Sequence, residues 1–335
     1  MSHCKIPLDY KSILTTYQTQ NAIGRLKRIF EDNLSMSLNL HRISAPLFVE
    51  PQTGLNDDLS GVERPVEFDV PETRGTVQIV HSLAKWKRMA LHKYDFPVGA
   101  GLYTDMNAIR RDEVMDNTHS IYVDQWDWEI VITREQRTEA FLKQTVRRIV
   151  ESICATSERL LWDYPELPVA LTRDVVFVTA QALEDLYPTL TAEEREAAFT
   201  KRHKTVFVMK VGGKLRSGER HGSRAPDYDD WSLNGDILFW HETLGCALEI
   251  SSMGIRVDAA ALEAQLTEAG CDDRRSLDFH KALLEGKLPL TMGGGIGQSR
   301  LCMLLMAKAH IGEVQVSVWD TATRKACTAT RVGLL

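Results

Sequence analysis

The sequence predicts an α+β fold in which a mostly antiparallel sheet is flanked by helices. Six stretches have the composition of strands: residues 76–81, 120–131, 174–179, 205–211, 236–240 and 247–257. Seven others carry apolar residues at helical spacing: residues 12–35, 83–94, 138–161, 191–203, 259–269, 276–285 and 297–308. Because the strands do not alternate one for one with the helices, a doubly wound parallel sheet is disfavoured.

The first helix has the clearest pattern. Its basic face carries Arg25, Lys27 and Arg28, and the opposite face consists of Ile13, Leu14, Tyr17, Ile23, Leu26, Phe30 and Leu34. Residues 38–43 resemble a short strand, which must end or turn at Pro46 because proline has no N–H for a sheet. Residues 51–61 then form a polar loop that contains glycine.

The rest of the chain shows no boundary between domains. No stretch rich in Pro or Ser divides it and no unit of 20–50 residues repeats, so we expect one domain spanning residues 1–335. The longest stretch without a regular pattern, residues 212–232, is dense in Gly, Arg and Asp. A loop of that length in a compact domain is often a lid or a binding loop.

The composition is that of an ordinary globular protein. The 335 residues are 44% hydrophobic and 26% charged, which excludes collagen-like, disordered and disulfide-scaffold classes. No apolar run approaches the roughly 20 residues that span a bilayer, and the N-terminus lacks the apolar core of a secretory signal. We therefore expect a cytoplasmic protein without a membrane partner.

The net charge and the spacing of the cysteines argue against further classes of protein. With 40 Lys and Arg against 46 Asp and Glu, the net charge of −6 argues against binding to a nucleic-acid backbone. The six cysteines are far apart and form no Cys-x-x-Cys pair, so neither a zinc knuckle nor a redox dithiol is indicated. We interpret them as reduced thiols, some of which fill the core.

Several common motifs fail on inspection. The glycine run at 293–297 resembles a dinucleotide loop, but Gln298 stands where that fingerprint needs glycine. The pair Gly213-Lys214 lacks the rest of a phosphate loop. His241-Glu242 begins like a zinc-protease helix, but Gly245 occupies the position of the second ligand. The usual nucleotide-binding and protease interpretations are therefore excluded.

A polar face on the predicted strand 120–131 is the first feature that points to chemistry. Alternation along a strand puts Gln125, Asp127 and Glu129 on one face, and Asp124, Trp126 and Trp128 on the other. Such a polar row is either a solvated sheet face or the floor of a polar site. The residues alone leave both interpretations open.

A second feature is the glycine run at 293–297, followed by an apolar helix with Arg300 in its first turn. Glycines allow close approach of a backbone, and free N–H groups at a helix start attract anions. An arginine there would complete a cradle for a polyphosphate. The alternative is a glycine-rich turn before a core helix.

Together these two segments resemble the second and third signature motifs of class II aminoacyl-tRNA synthetases, and residues 12–46 resemble the first. The resemblance is closest to the aspartyl branch and, within it, to the aspartate–ammonia ligase family of ammonia-dependent asparagine synthetases. The blocks that carry it are residues 57–61, 80–88, 101–103, 122–129, 224–231, 233–236, 248–258 and 293–300. The first 40 residues and residues 133–204 resemble the family only in pattern.

The resemblance implies a fold like the class II catalytic core, which usually forms a homodimer. It also implies the following activity. Aspartate, ammonia and ATP would give asparagine, AMP and pyrophosphate through a β-aspartyl-adenylate. It also implies Mg²⁺, held by Asp236 and Glu249. Arg110 would bind the α-phosphate, because its guanidinium can hold phosphoryl oxygens bidentately, and Arg300 would bind the distal phosphates. The remaining ATP-binding candidates are Glu113, Val123, Gly295 and Gly297. Val123 departs from the family pattern, since synthetases usually place an aromatic residue there to stack on adenine.

The same resemblance suggests an aspartate site and an ammonium site. Lys87 would hold one carboxylate of aspartate, with no choice between the two; a surface lysine is the alternative. Ser82, Gln125, Asp127, Asp229 and Ser251 complete the candidates for the amino-acid site. Asp57 would hold ammonium and accept its proton, unless Asp57 and Asp58 merely form a capping or turn pair.

Two other functions remain open on the sequence. One is an aspartyl- or asparaginyl-tRNA synthetase, disfavoured because no large basic stretch remains for an anticodon-binding domain. The other is a catalytically silent synthetase-like module, disfavoured by the presence of Arg110, Arg300, Asp236 and Glu249. Ammonia is preferred to glutamine as nitrogen donor, since an N-terminal glutaminase needs a cysteine at its first mature position and residue 2 is serine.

Overall fold

A computed structural model describes residues 4–57, 59 and 63–335. The described chain contains helices α1 Thr16–Leu38, α2 Ala84–Lys93, α3 Glu139–Asp163, α4 Ala180–Leu186, α5 Ala192–His203, α6 Ala259–Ala269, α7 Asp278–Leu284, α8 Gln298–Leu305 and α9 Thr321–Ala329. Its strands are β1 Leu40–Arg42, β2 Phe48–Val49, β3 Glu67–Val70, β4 Gly75–Ile79, β5 Gly101–Ile109, β6 Tyr122–Val131, β7 Val176–Thr179, β8 Thr205–Met209, β9 Asp229–His241, β10 Cys246–Arg256 and β11 Thr291–Gly297. Ser2 and three residues of the predicted loop, Asp58, Ser60 and Gly61, lie outside the described residues.

An eight-stranded sheet forms the centre of the fold, in the order β1-β5-β6-β11-β10-β9-β8-β7. Its five inner pairings are antiparallel, and only the edge pairs β1–β5 and β7–β8 are parallel. The prediction of a mostly antiparallel sheet flanked by helices is confirmed. The strand predicted at 76–81 belongs elsewhere, because β4 pairs with β2 and β3 in a separate three-stranded sheet.

Two long helices cover one face of the large sheet. A capping box between Thr15 and Gln18 starts α1, which ends at Asn39 in a left-handed conformation. The Phe30 ring of α1 lies 4.7 Å from the ring of Trp126, and Trp126 Nε1 donates to Glu31 Oε1 at 3.0 Å. α3 packs beside α1 in the same apolar core. This arrangement commits one face of β6 to the core and leaves the other face for a site.

Several elements are not evident from the sequence. Its pattern does not predict β2, β3, β5, α4 or α9, and it indicates a loop for the glycine run that forms β11. The predicted loop 212–232 is also shorter than expected, since β9 begins at Asp229. No helix in the described part of the chain is long and apolar enough to cross a bilayer.

Candidate active site

The polar row on β6 is the floor of a site. Asp127 lies opposite Gly295 of β11, which lies opposite Ser252 of β10, which in turn lies opposite Asp236 of β9. Asp127 and Glu129 are buried, and Trp126 and Trp128 are buried on the other face of the strand. The alternation holds for Asp127 against Trp126 and Trp128, whereas Asp124 and Gln125 both line the larger cavity described below. The alternative of a solvated sheet face is excluded, because Asp127 and Glu129 are buried.

Two adjoining cavities lie over this floor. The larger measures about 350 Å³ and the smaller about 80 Å³. Six residues line both: Leu59, Arg110, Gln125, Tyr228, Ser252 and Gly295. The predicted residues divide between the cavities. Glu113, Val123, Asp236, Glu249, Gly297 and Arg300 line only the larger, and Asp57, Ser82, Lys87, Asp127 and Asp229 only the smaller.

The glycine run is a central strand and not a helix-start loop. Residues 293–297 pair with β6 on one side, and residues 293–296 pair with β10 on the other. At the start of α8, the N–H of Ser299 donates to Asp124 Oδ1 at 3.1 Å, so a carboxylate of the chain itself occupies that helix end. At least one N–H group of the expected anion cradle is therefore already bonded within the protein. Arg300 does lie in the first turn of α8, as predicted.

Lys87 is not a surface lysine. Its side chain is fully buried, and Nζ donates to Asp127 Oδ1 and, at 3.0 Å, to the carbonyl oxygen of Gly294. Burial lowers the pKa of Lys87, and the charge of Asp127 opposes that shift. Asp127 Oδ2 is buried without a hydrogen-bond partner in the described structure. The pair thus presents one unused acceptor beside an ammonium group.

Sequence reasoning missed Arg256, which organises the floor of the smaller cavity. Its Nη2 and Nε lie 3.0 and 3.2 Å from Glu129 Oε2, and its Nη1 donates to Asp229 Oδ1. Glu129 Oε1 accepts a further bond from Thr291 at 2.7 Å. A charged residue at the end of the apolar strand 247–257 was the available signal. Arg256 fixes the carboxylate of Asp229 at the cavity wall.

Two arginines flank the larger cavity. Arg110 is half-buried at the junction of the cavities; its Nη2 lies 3.4 Å from the His81 carbonyl oxygen, and its buried Nε has no partner among the residues described. Arg300 donates through Nε to the Thr118 carbonyl oxygen at 3.3 Å and through Nη1 to the Glu249 carbonyl oxygen at 3.1 Å. Both guanidinium groups retain donors for an anion.

Asp236 and Glu249 line the larger cavity together with Arg224, which the sequence did not indicate as a site residue. Arg224 Nη2 donates to Asp236 Oδ1 at 2.6 Å. Burial raises the pKa of Asp236 to about 6; Arg224 opposes this shift and the Glu249 carboxylate adds to it. Glu249 is more exposed than its apolar strand suggested, with 46% of its side chain accessible. The two carboxylates repel each other, and a cation between them would relieve that repulsion.

Ser251 does not reach either cavity lining, and Ser252 takes its place. Ser251 lies opposite Ile237 and Ile296, two fully buried residues on the core face of the sheet. The register of β10 against β9 shifts between Glu249 and Ser251. Such a bulge changes which residues of a strand face each side, and sequence alternation does not reveal it. Ser252 accepts a hydrogen bond from Arg224 Nη1.

Asp57 is buried at the edge of the smaller cavity, with 2% of its surface exposed. Oδ1 accepts the N–H of Leu59 at 2.9 Å, so the turn interpretation holds for one oxygen. Oδ2 is buried and has no partner in the described parts of the chain. Burial raises the pKa of Asp57, whereas the nearby charges of Lys85 and Arg110 lower it.

A cluster of buried charges lies next to the wall of the smaller cavity. The sequence did not reveal it. Asp227 Oδ2 accepts hydrogen bonds at 3.0 Å from Lys85 and Arg274 and lies 3.0 Å from His280 Nε2. Burial alone would raise the pKa of Asp227, but these neighbours hold it well below its usual range. The cluster joins α2 to the segment before β9, two residues from Asp229.

We expect Asp227→Asn to destabilise the protein by about 3 kcal/mol or more, because Lys85 would stay buried without its counter-charge. Urea unfolding measures this change. Asp163→Asn is the matched control, since its pair with Arg25 is 35–40% exposed and should contribute less than about 1 kcal/mol. Equal effects of the two substitutions would show that the buried Asp227 cluster contributes no more to the free energy of unfolding than an exposed ion pair.

Comparisons with known proteins agree with this geometry. A family model described as aspartate-ammonia ligase matches residues 17–331. A protein of Clostridium perfringens strain SM101 named aspartate–ammonia ligase is 56% identical and covers 98% of each chain. A protein of the same name from Clostridium tetani is 58% identical over 96% of this chain and 95% of its own.

Solved structures show the fold alone, because their sequence identity is low. Asparaginyl-tRNA synthetase of Entamoeba histolytica with asparaginyl-adenylate superposes with a TM-score of 0.64 at 12% identity, over 90% of this chain and 66% of that one. This chain thus spans just under two thirds of that synthetase. Aspartyl-tRNA synthetase of the same organism gives 0.59 at 16% identity, over 91% and 59%. The predicted class II synthetase fold is confirmed, and the chain belongs to the aspartate–ammonia ligase family.

Proposed function

We propose that this protein, a ligase by its family, makes asparagine from aspartate and ammonia through a β-aspartyl-adenylate, with release of AMP and pyrophosphate. One observation carries the proposal: Arg110 lies at the junction of a cavity of about 350 Å³ and one of about 80 Å³. ATP would occupy the larger cavity and aspartate the smaller. Their α-phosphorus and side-chain carboxylate would then meet beside the guanidinium of Arg110.

The first half-reaction brings negative charges together, so it needs cations at the point of attack. The aspartate carboxylate would attack the α-phosphorus, and Arg110 would stabilise the charge that develops on its oxygens. Arg300, on the far side of the larger cavity, would hold the distal phosphates that leave as pyrophosphate. Val123 contributes an apolar contact for adenine; the aromatic residues of that cavity are His119, Tyr122 and Tyr228.

The carboxylates of Asp236 and Glu249 fit a Mg²⁺ site. Mg²⁺ in phosphoryl-transfer sites is commonly held by one or two carboxylates together with phosphate oxygens. Asp236 already accepts a hydrogen bond from Arg224, and the Glu249 carboxylate lies close enough to raise its pKa, so two carboxylates are near neighbours at the wall of the larger cavity. When bound, the ion would neutralise phosphate charge and assist the departure of pyrophosphate.

The smaller cavity suits aspartate. Asp229 is fixed by Arg256, and Asp127 has an unpaired Oδ2, so both carboxylates are placed to accept hydrogen bonds from an α-ammonium group. Lys87 would bind a carboxylate of the substrate, with Ser82 and Gln125 as further polar contacts.

Asp57 is the proposed acceptor of the proton that ammonium must lose before it attacks the adenylate. Ammonia is mostly ammonium at neutral pH, and a buried carboxylate oxygen without a partner can bind that cation. The pKa of Asp57, raised by burial, also makes it a better proton acceptor than an ordinary carboxylate. The predicted homodimer, cytoplasmic location and absence of a nucleic-acid partner stay predictions.

A direct assay tests this function. Protein supplied with labelled ammonium, aspartate, ATP and Mg²⁺, without tRNA, should yield labelled asparagine, AMP and pyrophosphate. Formation of ADP would contradict the adenylate mechanism. No product from folded protein would contradict the function itself, and a requirement for tRNA would favour a synthetase.

We expect Arg110→Ala and Arg300→Ala each to lower turnover at least 100-fold, which corresponds to about 2.7 kcal/mol of transition-state stabilisation. Both should also abolish aspartate-dependent exchange of pyrophosphate into ATP, because they act before ammonia. Arg111→Ala is the control, since Arg111 is exposed beside Arg110. Near-normal turnover of either variant would disprove the assigned role.

Asp57→Asn should separate the two half-reactions. Loss of the proton acceptor should reduce asparagine formation about 100-fold, while pyrophosphate exchange stays within about threefold of wild type. Asp69→Asn, at an exposed position on β3, should change neither rate. Parallel loss of exchange and synthesis in Asp57→Asn would assign Asp57 to aspartate or ATP binding instead.

A further inference from the structure

A second chemical cluster lies outside the two cavities. The sulfur atoms of Cys4 and Cys327 and a ring nitrogen of His310 all lie within 4.8 Å of one another. All three residues are buried, with 8%, 1% and 0% of their surfaces exposed. The sequence does not reveal this cluster, because Cys4 and Cys327 lie near opposite ends of the chain and only the fold brings them together.

The two thiols are in direct contact. They form a hydrogen bond with each other, and Ile6, Val332 and Leu334 pack around them in a small apolar cluster. Burial raises the pKa of both thiols, to about 12 for Cys327. Asp320 and Asp116 raise that of Cys4 further, and Glu313 that of Cys327. The thiols are therefore protonated at neutral pH.

The state of His310 argues against a metal site. Its Nδ1 accepts the N–H of Gly312 at 3.0 Å, so the neutral ring carries its proton on Nε2. Burial lowers the pKa of His310 to about 4, which keeps the ring neutral. A metal-bound histidine needs a lone pair towards the metal and usually donates its other N–H. His310 shows the reverse arrangement, and its buried Nε2 has no partner among the described residues. The cluster thus provides two neighbouring thiols beside a neutral imidazole ring.

We propose that Cys4 and Cys327 form a reversible disulfide that cross-links the N-terminal segment to α9. A peroxide is the oxidant. Cys4 is the first to react, because it lies at the more exposed end of the cluster.

The disulfide forms in two successive displacement reactions. The Cys4 sulfur attacks one peroxide oxygen, the O–O bond breaks, and one water leaves as a sulfenic acid forms. The Cys327 sulfur then attacks the Cys4 sulfur, the S–O bond breaks, and a second water carries away the thiol proton. The two thiols lose two electrons and two protons, and the peroxide is reduced to two waters.

The cross-link would act on a segment that touches the wall of the larger cavity. The N–H of Lys5 donates to Asn117 Oδ1 at 2.7 Å, and Asn117 Nδ2 donates to the carbonyl oxygens of Lys5 and Ala309 at 3.1 and 2.7 Å. The next residue, Thr118, accepts the Arg300 hydrogen bond described above. The disulfide would therefore fix the backbone that supports Arg300.

Peptide mapping tests the proposal. The full-length protein is reduced, freed of reductant, treated with hydrogen peroxide, alkylated and digested without reductant. We expect a linked peptide containing Cys4 and Cys327 at two hydrogen masses below the sum of its parts, and its loss after reduction. Oxidised wild-type protein should also unfold about 4 °C higher than reduced protein, because the link restricts the unfolded chain.

Three variants control the experiment. Cys4→Ser and Cys327→Ser should each abolish the linked peptide and the thermal shift, and Cys154→Ser, a buried cysteine elsewhere in the core, should abolish neither. Irreversible sulfinic acid at Cys4 without the link would overturn the proposal. So would Co²⁺ binding with a thiolate charge-transfer band that disappears in both cysteine variants, since that result identifies a metal site.

Discussion

The ion pair between Arg256 and Glu129 depends on the glycines of the strand that lies between them. Arg256 belongs to β10 and Glu129 to β6, and β11 lies between them in the sheet. A Cβ atom on Gly293 would lie 2.7 Å from Arg256 Nη2 and from Glu129 Oε2. A Cβ on Gly295 would lie 2.3 Å from Gln125 Oε1. The glycines of β11 therefore let polar groups of two non-adjacent strands meet across it, and the floor of the site follows from that contact.

The same floor shows how buried charge is accommodated. Lys87 is matched by Asp127 and Lys85 by Asp227, and in each pair the partners come from different elements. Removing one member of such a pair costs more than the pair contributes, because the remaining charge stays buried. The pairs therefore fix α2 over the sheet in one arrangement. Rigid placement of this kind is what a reaction between two bound substrates requires.

The sequence predicted the parts of the fold that depend on local pattern. The helix α1 and the alternation of Asp127 with Trp126 and Trp128 in β6 follow from periodicity, and both agree with the structure. The strands β5 and β11 do not. In β5, polar and apolar residues are mixed and six of the nine are buried, and β11 is mostly glycine, which weakens strand propensity. A register shift in β10 accompanies the placement of Ser252, instead of the predicted Ser251, at the cavity wall, and Asp227 meets Lys85 across 142 residues, which no spacing rule reveals.

Arg110 also links the two proposed half-reactions through charge. Burial is the main cause that raises the pKa of Asp57, and Lys85 and Arg110 are the cations that oppose it. A phosphate bound to Arg110 would neutralise one of those cations, so the pKa of Asp57 would rise when the nucleotide is bound. The carboxylate would then accept a proton more readily with the adenylate in place than in the empty site. Deprotonation of ammonium would thereby be more favourable when the adenylate is present to receive the ammonia.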